Sequence, residues 1–137
     1  GGIKIGFIGL ITPDTVKLSS PGPNIRFAPF IEAARAGVAA LKSQGADVIV
    51  AVTHLDIAQD RQLGRDVKGV NVILGGHDHD PMTFYEGDVF IFKVGHDAQY
   101  LGAAEFLRQS FAVIDRAGTA DEGRRCPSRS TSSACSW

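Results

Sequence analysis

The sequence predicts an α/β fold, a parallel βαβαβ unit followed by short antiparallel edge strands. Three observations carry this. Two nearly continuous apolar runs, IKIGFIGL at 3–10 and ADVIVAVT at 46–53, have the pattern of strands covered on both faces. Between them, FAPFIEAARAGVAALKSQG places Phe27, Phe30, Ile31, Ala34, Val38 and Leu41 at spacings of three and four, which is one face of a helix. Strand, helix, strand, helix, strand is the rhythm of right-handed crossovers and a parallel sheet.

Each element has its local reason. The loop ITPDTVKLSSPGPNIR at 11–26 holds three prolines and several turn formers, and its SSPG reads as a turn without chemistry. Pro29 is tolerated in the first turn of the helix and Gly45 stops it. The second strand ends at His54. A shorter helix over roughly 58–68 turns Leu63 and Val67 inward and ends at Gly69. A third strand, VNVIL at 70–74, runs into Gly75 and Gly76. After Pro81, DVFIFKVG, LGAAEFL and FAVID follow with short connections and read as hairpin-linked strands at a sheet edge, so that 1–115 forms one α/β unit. Phe84, Tyr85, Phe90 and Phe92 are expected in core and edge packing. From Arg116 the chain is rich in Ser, Arg and Gly and poor in aliphatic residues. The tail 116–137, which carries Cys126, Cys135 and Trp137, is therefore expected to be disordered or the product of a frameshift or truncation.

Composition narrows the function classes. A net charge of -1 argues against a nucleic-acid partner, which favours a strongly basic surface. No apolar run reaches the roughly 18 residues of a membrane span. GGIKIGFIGL begins as a strand rather than a signal peptide, and without an initiator Met it reads as the middle of a longer protein.

The histidines fall at predicted strand ends, His54 after one strand, His77 and His79 after the next, and His96 after a later one. Ligands of open α/β sheets collect outside the carboxyl ends of parallel strands. In an extended segment His77 and His79 would point to the same side and address one centre or two adjacent ones, with Asp78 turned the other way. Gly75 and Gly76 remove bulk where backbone passes close to a ligand. Neutral imidazole is a common nitrogen ligand for zinc, manganese or iron, so a metal half-site is expected, with a surface or capping histidine as the plain alternative for His54. Asp78 has two readings, a hydrogen-bond partner of a ligating imidazole or a solvated turn carboxylate. Asp56 and Asp80 read as turn acids, His96 as a surface residue near the site, and Lys93, beside Gly95, as a strand residue with a solvated head.

GGHDH, with THL upstream in VAVTHLD and KVGHDAQYLG downstream, resembles the C-terminal half of the calcineurin-like metallophosphoesterase domain, the 5'-nucleotidase group above all. SSPGPNIRF resembles the segment those proteins carry between the halves of the catalytic domain, and the likeness covers 3–115. The resemblance implies a partial α/β/β/α sandwich and two divalent metal ions (Mn, Zn, Fe, Mg or Ca). It implies that His54 and His77 bind one ion and His79 the other. The substrate would be a small-molecule nucleotide or other phosphate ester, attacked by a metal-held hydroxide, and the location periplasmic or extracellular. A 2',3'-cyclic-nucleotide phosphodiesterase or UDP-sugar hydrolase of the same family is the nearest alternative. The family's D-x-H, G-D-x-x-D and G-N-H-E motifs, with the bridging Asp, the Asn ligand and the leaving-group His, do not occur here. Nor does the C-terminal nucleotide-binding domain. The alternative of another class is accordingly a non-catalytic metal-binding α/β module, and the chain alone is expected to be a poor catalyst.

Overall fold

Five strands form one sheet in the order β1-β2-β3-β5-β4 in a computed structural model that describes residues 2–106 and 113–115. The elements are β1 (Ile5–Ile11), α1 (Thr15–Leu18), α2 (Phe30–Ser43), β2 (Val48–His54), α3 (Ile57–Asp66), β3 (Val72–Gly75), β4 (Pro81–Glu86) and β5 (Val89–Val94). The βαβαβ prediction is met, with β1, β2 and β3 parallel. Gly45, at φ 79°, ends α2 in the left-handed conformation expected of a helix stop. No described helix is long and apolar enough to cross a membrane.

Beyond Pro81 the arrangement differs from the expected run of edge strands. β5 is parallel to β3 and sits inside the sheet, while β4 is antiparallel to β5 and takes the edge. The side chains explain the exchange. VFIFKV is apolar on both faces, and Val89, Phe90 and Ile91 are buried. PMTFYE begins with a proline, carries Thr and Glu, and is largely exposed, as an edge strand tolerates. Two further strands, β6 (Ala104–Phe106) and β7 (Val113–Asp115), pair antiparallel with each other in a separate sheet. The described residues up to Leu101 form one compact unit, and those from Gly102 on belong to a second. The expectation for the tail 116–137 lies outside the described residues.

The core lies on the helical face of the sheet. Ala51, Ile73 and Ile91 stand in one row across β2, β3 and β5. They share a buried cluster with Ala34 and Val38 of α2 and Leu63 of α3. Helix α2 rides close on β1, since a Cβ at Gly37 would stand 2.7 Å from Ile8 Cγ2. The opposite face corrects the expectation that the first strand is covered on both sides. Phe7 of β1 is 62% exposed and Val52 of β2 is 47% exposed, while Ile5 and Ile11 are exposed beside them. β1 pairs with β2 alone among the described strands, so its outward residues lack neighbours on one flank. Helix α3 is tied to the other edge, where Glu86 of β4 accepts from Arg61 Nε at 2.7 Å and pairs with Arg65 at 3.3 Å.

Candidate metal centre at the strand ends

His54 is the last residue of β2, and His77 lies in the turn that follows β3. Because those strands are neighbours, the two imidazoles meet. Their ring centroids are 5.1 Å apart with planes at 82°, an edge-on contact. The Gly76 amide donates to Thr53 O at 3.0 Å and the Thr12 amide to His54 O at 2.9 Å, so backbone bonds hold both sides of His54.

His79 goes elsewhere. The segment 77–79 is a turn rather than an extended strand, with φ of 81° at His77 and 65° at His79. Left-handed backbone is uncommon for residues with a Cβ and concentrates at functional sites. The alternation that would aim both histidines at one centre is thereby broken. His79 instead sits against His96, with centroids 5.0 Å apart. His96 Nδ1 lies 2.9 Å from Asp97 Oδ2, and since a carboxylate only accepts, this nitrogen is the donor of the contact.

Beneath the first pair lies a buried polar network. Lys93 of β5, expected to hold its head in solvent, is only 2% exposed. Its ammonium donates to Leu55 O and Gly76 O, each at 2.7 Å, and to Asp78 Oδ2. Asp60 of α3 is fully buried with Oδ2 2.8 Å from the same nitrogen. An ammonium has three protons, and four oxygens surround this one, so Asp60 Oδ2 remains a charge neighbour without a hydrogen of its own. The other oxygen, Oδ1, accepts from Thr53 Oγ1 at 2.7 Å. Burial raises the Asp60 pKa; the adjacent Lys93 ammonium and the hydrogen bond from Thr53 oppose this without cancelling it. Burial also pushes the Asp78 carboxyl upward, but the Lys93 hydrogen bond and charge, the Ile57 N–H and the charge of His77 outweigh it, leaving its pKa lowered.

Asp78 therefore serves neither as a solvated turn acid nor as an imidazole partner. Its Oδ2 accepts a hydrogen bond from the Lys93 ammonium and its Oδ1 accepts from the Ile57 amide at 3.3 Å. Asp56, expected as a plain turn acid, caps α3 in a capping box with Gln59, which satisfies amides the first helical turn leaves unpaired. The two glycines differ. A Cβ at Gly75 would lie 2.7 Å from Asp60 Oδ2 and 3.0 Å from Lys93 Cε, so this residue must lack a side chain for the lysine to pass. A Cβ at Gly76 would meet His54 Nδ1 at an ordinary 3.5 Å. Sequence reasoning passed over Thr53 and Asp60. The available signal was Asp60 three residues before Leu63, on the face of α3 that turns inward.

The resemblance implies two metal ions, and the donor chemistry suits borderline cations, since imidazole nitrogens are their usual ligands. Among the described residues, however, no group of three or more His, Cys, Asp or Glu side chains is gathered closely enough to hold an ion. What the chain offers is two separate pairs, His54 with His77 and His79 with His96.

No family profile matches the chain. Individual proteins do. It is 41% identical over 78 residues to the 5'-nucleotidase of Diplobatis ommata, covering 57% of this chain and 14% of that protein. It is 39% identical over 119 residues to the trifunctional nucleotide phosphoesterase protein YfkN of Bacillus subtilis, covering 82% of this chain and 8% of that protein. Among solved structures, the 5'-nucleotidase precursor from Thermus thermophilus superposes with a TM-score of 0.64 at 33% identity, over 69% of this chain and 22% of that one. The chain thus spans less than a quarter of each of these relatives. Its relatives are of one kind in sequence and in structure, so the chain is similar to a part of the 5'-nucleotidase group of phosphoesterases, with the fold of the calcineurin-like phosphoesterases.

Proposed function

We propose that this chain supplies the histidine-bearing part of a two-metal centre that hydrolyses phosphate esters, with nucleoside 5'-monophosphates as the first substrate class. The observation that carries the reading is the meeting of His54 and His77 at 5.1 Å across two neighbouring strand ends. His54 and His77 would hold one divalent ion, and His79 would contribute to the other. When bound, such ions supply an acidified water and neutralise charge on the phosphoryl oxygens. The chain's own part is to orient imidazoles. Thr12 and Gly76 amides fix the backbone around His54, and the turn 77–79 splits its two histidines between two neighbours. In this reading residues 1–115 are the C-terminal half of the catalytic domain, and the remaining ligands and the nucleotide-binding domain come from chain outside it. Export to the periplasm or the extracellular space belongs to the same proposal.

The test is a transplant. Residues 3–115 replace the matching stretch of a 5'-nucleotidase, and release of inorganic phosphate from a nucleoside 5'-monophosphate is followed with and without manganese. The expected result is metal-dependent turnover. His77→Ala should lower it by at least the roughly 10–100-fold that loss of even an outer partner of a metal ligand causes. Equal rates with and without that histidine would end the proposal.

A further inference from the structure

We propose that Lys93 is a positioning residue for both histidine-bearing turns: one buried ammonium grips the carbonyl after His54, the carbonyl before His77 and the carboxylate between His77 and His79. The bonds are those to Leu55 O, Gly76 O and Asp78 Oδ2. None of the three acceptors is a metal ligand in the proposed function, and each lies within one residue of a histidine that is. Lys93 thus sets the spacing of His54 and His77 without touching anything they bind.

The surroundings are built for that task. Lysine is almost never fully buried unless paired. Here it is 2% exposed at the end of an otherwise apolar strand. Its stem crosses the sheet where Gly75 provides the room, in the row Thr53–Gly75–Lys93 that the strand register sets. Asp60, fixed by Thr53, lies 2.8 Å from the ammonium and gives it a second carboxyl neighbour inside the fold. Asp78 closes the device from the other side, since its second oxygen accepts from the first amide of α3. Two turns that follow different strands are therefore clamped through a single atom. Groups that orient ligands from outside the coordination shell tune metal affinity strongly.

The inference rests on the proposed function only for the identity of what the histidines bind. Its test uses the 137-residue chain with Lys93→Met. Beside it stands Gly75→Ala, which keeps the ammonium but drives a methyl into the lysine stem. The first readout needs no metal: the nuclear Overhauser effect between the ring protons of His54 and His77. The second is titration with Co²⁺ alone, read in its visible absorption bands. In Lys93→Met the ring-to-ring effect should vanish, Co²⁺ affinity should fall about 10–100-fold, and the band shape should change. Gly75→Ala should give a smaller change of the same kind, and it carries the test if Lys93→Met does not fold. Val38→Ala, a core truncation on α2, which carries no member of the network, is the control and should leave the ring contact and the cobalt spectrum alone. An unchanged ring contact in folded Lys93→Met overturns the proposal, as does an equal change in Val38→Ala, which would reveal general loosening. A wild-type chain that takes up no Co²⁺, yet loses the ring contact in Lys93→Met, defeats the metal reading and leaves the positioning role intact.

Discussion

The two histidine pairs of this protein are held in different ways. His54 and His77 sit on the ends of β2 and β3 above a buried ammonium and a fully buried aspartate. His79 and His96 sit on turns, and the group that orients His96 is Asp97, whose side chain is 84% exposed. One pair is fixed by charges from which water is excluded, the other by a contact that water and salt can replace. The difference teaches that precision at this rim is concentrated on the first pair. The cost of that precision is a buried charge cluster that must stay complete, because an unpaired buried ion is far more expensive than an unpaired exposed one.

The largest effect expected is accordingly at Asp60. Asp60→Ala removes a charge neighbour of Lys93 and the acceptor of the Thr53 hydroxyl, and should cost about 3 kcal/mol of stability. That is the low end of the range for breaking a buried pair, because Asp78 still pairs with the lysine. Chemical denaturation with a two-state fit measures it. A loss below about 1 kcal/mol, the value of a surface pair, would erase the contrast between the two ends.

The same residue gives a pH test with a definite sign. Burial lifts the Asp60 carboxyl above its ordinary value of 3.8, and the Lys93 and Thr53 contacts only moderate this. A raised folded-state pKa means that the folded chain binds this proton more tightly than the unfolded one. The resulting stability is fully present below the ordinary value and is lost as pH rises through the folded one. Asp60→Asn has no such proton to lose. Its stability relative to wild type should therefore improve as pH climbs through that window and level off above it. A difference that stays flat from acid to neutral pH would show that folding does not shift this carboxyl.

A smaller effect, opposite in direction, is expected at the turn itself. His77 and His79 both hold positive φ, which costs a residue with a Cβ about 1–2 kcal/mol. Replacing either by glycine should stabilise the fold by about 1 kcal/mol, part of the relief being offset by the greater freedom of glycine in the unfolded chain. His77→Gly should at the same time lose the partner of His54. A site residue whose removal stabilises the protein is one kept for a reason other than folding. If both glycine variants are destabilised, the strain is not there.

Much of this was legible in the sequence, and the exceptions share a cause. Helical spacing at Ala34, Val38 and Leu41 and the apolar runs ending in His54 and Gly75 reported β1 to β3 and both crossovers, because periodicity records which face is buried. The meeting of His54 and His77 followed from neighbouring parallel strands. Strand order beyond Pro81 was less accessible, since an apolar hexamer such as VFIFKV fits an inner or an outer place until its partners are known. Lys93 and Asp60 were misread or passed over because each is ordinarily exposed, and their burial depends on three elements converging on one point. The left-handed turn at His77 and His79 has no sequence mark, as neither is glycine. Local signals describe local burial, whereas this site is made where distant segments meet.

The smallest expected effect is at the second pair, and it decides whether the contrast is real. Asp97 touches the His96 ring at 2.9 Å, but its side chain is open to solvent and its backbone, like that of Ala98, is left-handed at φ 52° and 54°. Ordering an exposed side chain costs entropy that a solvated pair barely offsets. Asp97→Asn, which keeps the shape and tolerates this backbone, should change stability by no more than about 0.5 kcal/mol. The His79–His96 ring contact should then loosen while the His54–His77 contact stays, which ring-proton Overhauser effects resolve in one spectrum. If Asp97→Asn instead disturbs both pairs, the two ends of the rim are coupled. The buried ammonium would then be only one part of a larger scaffold.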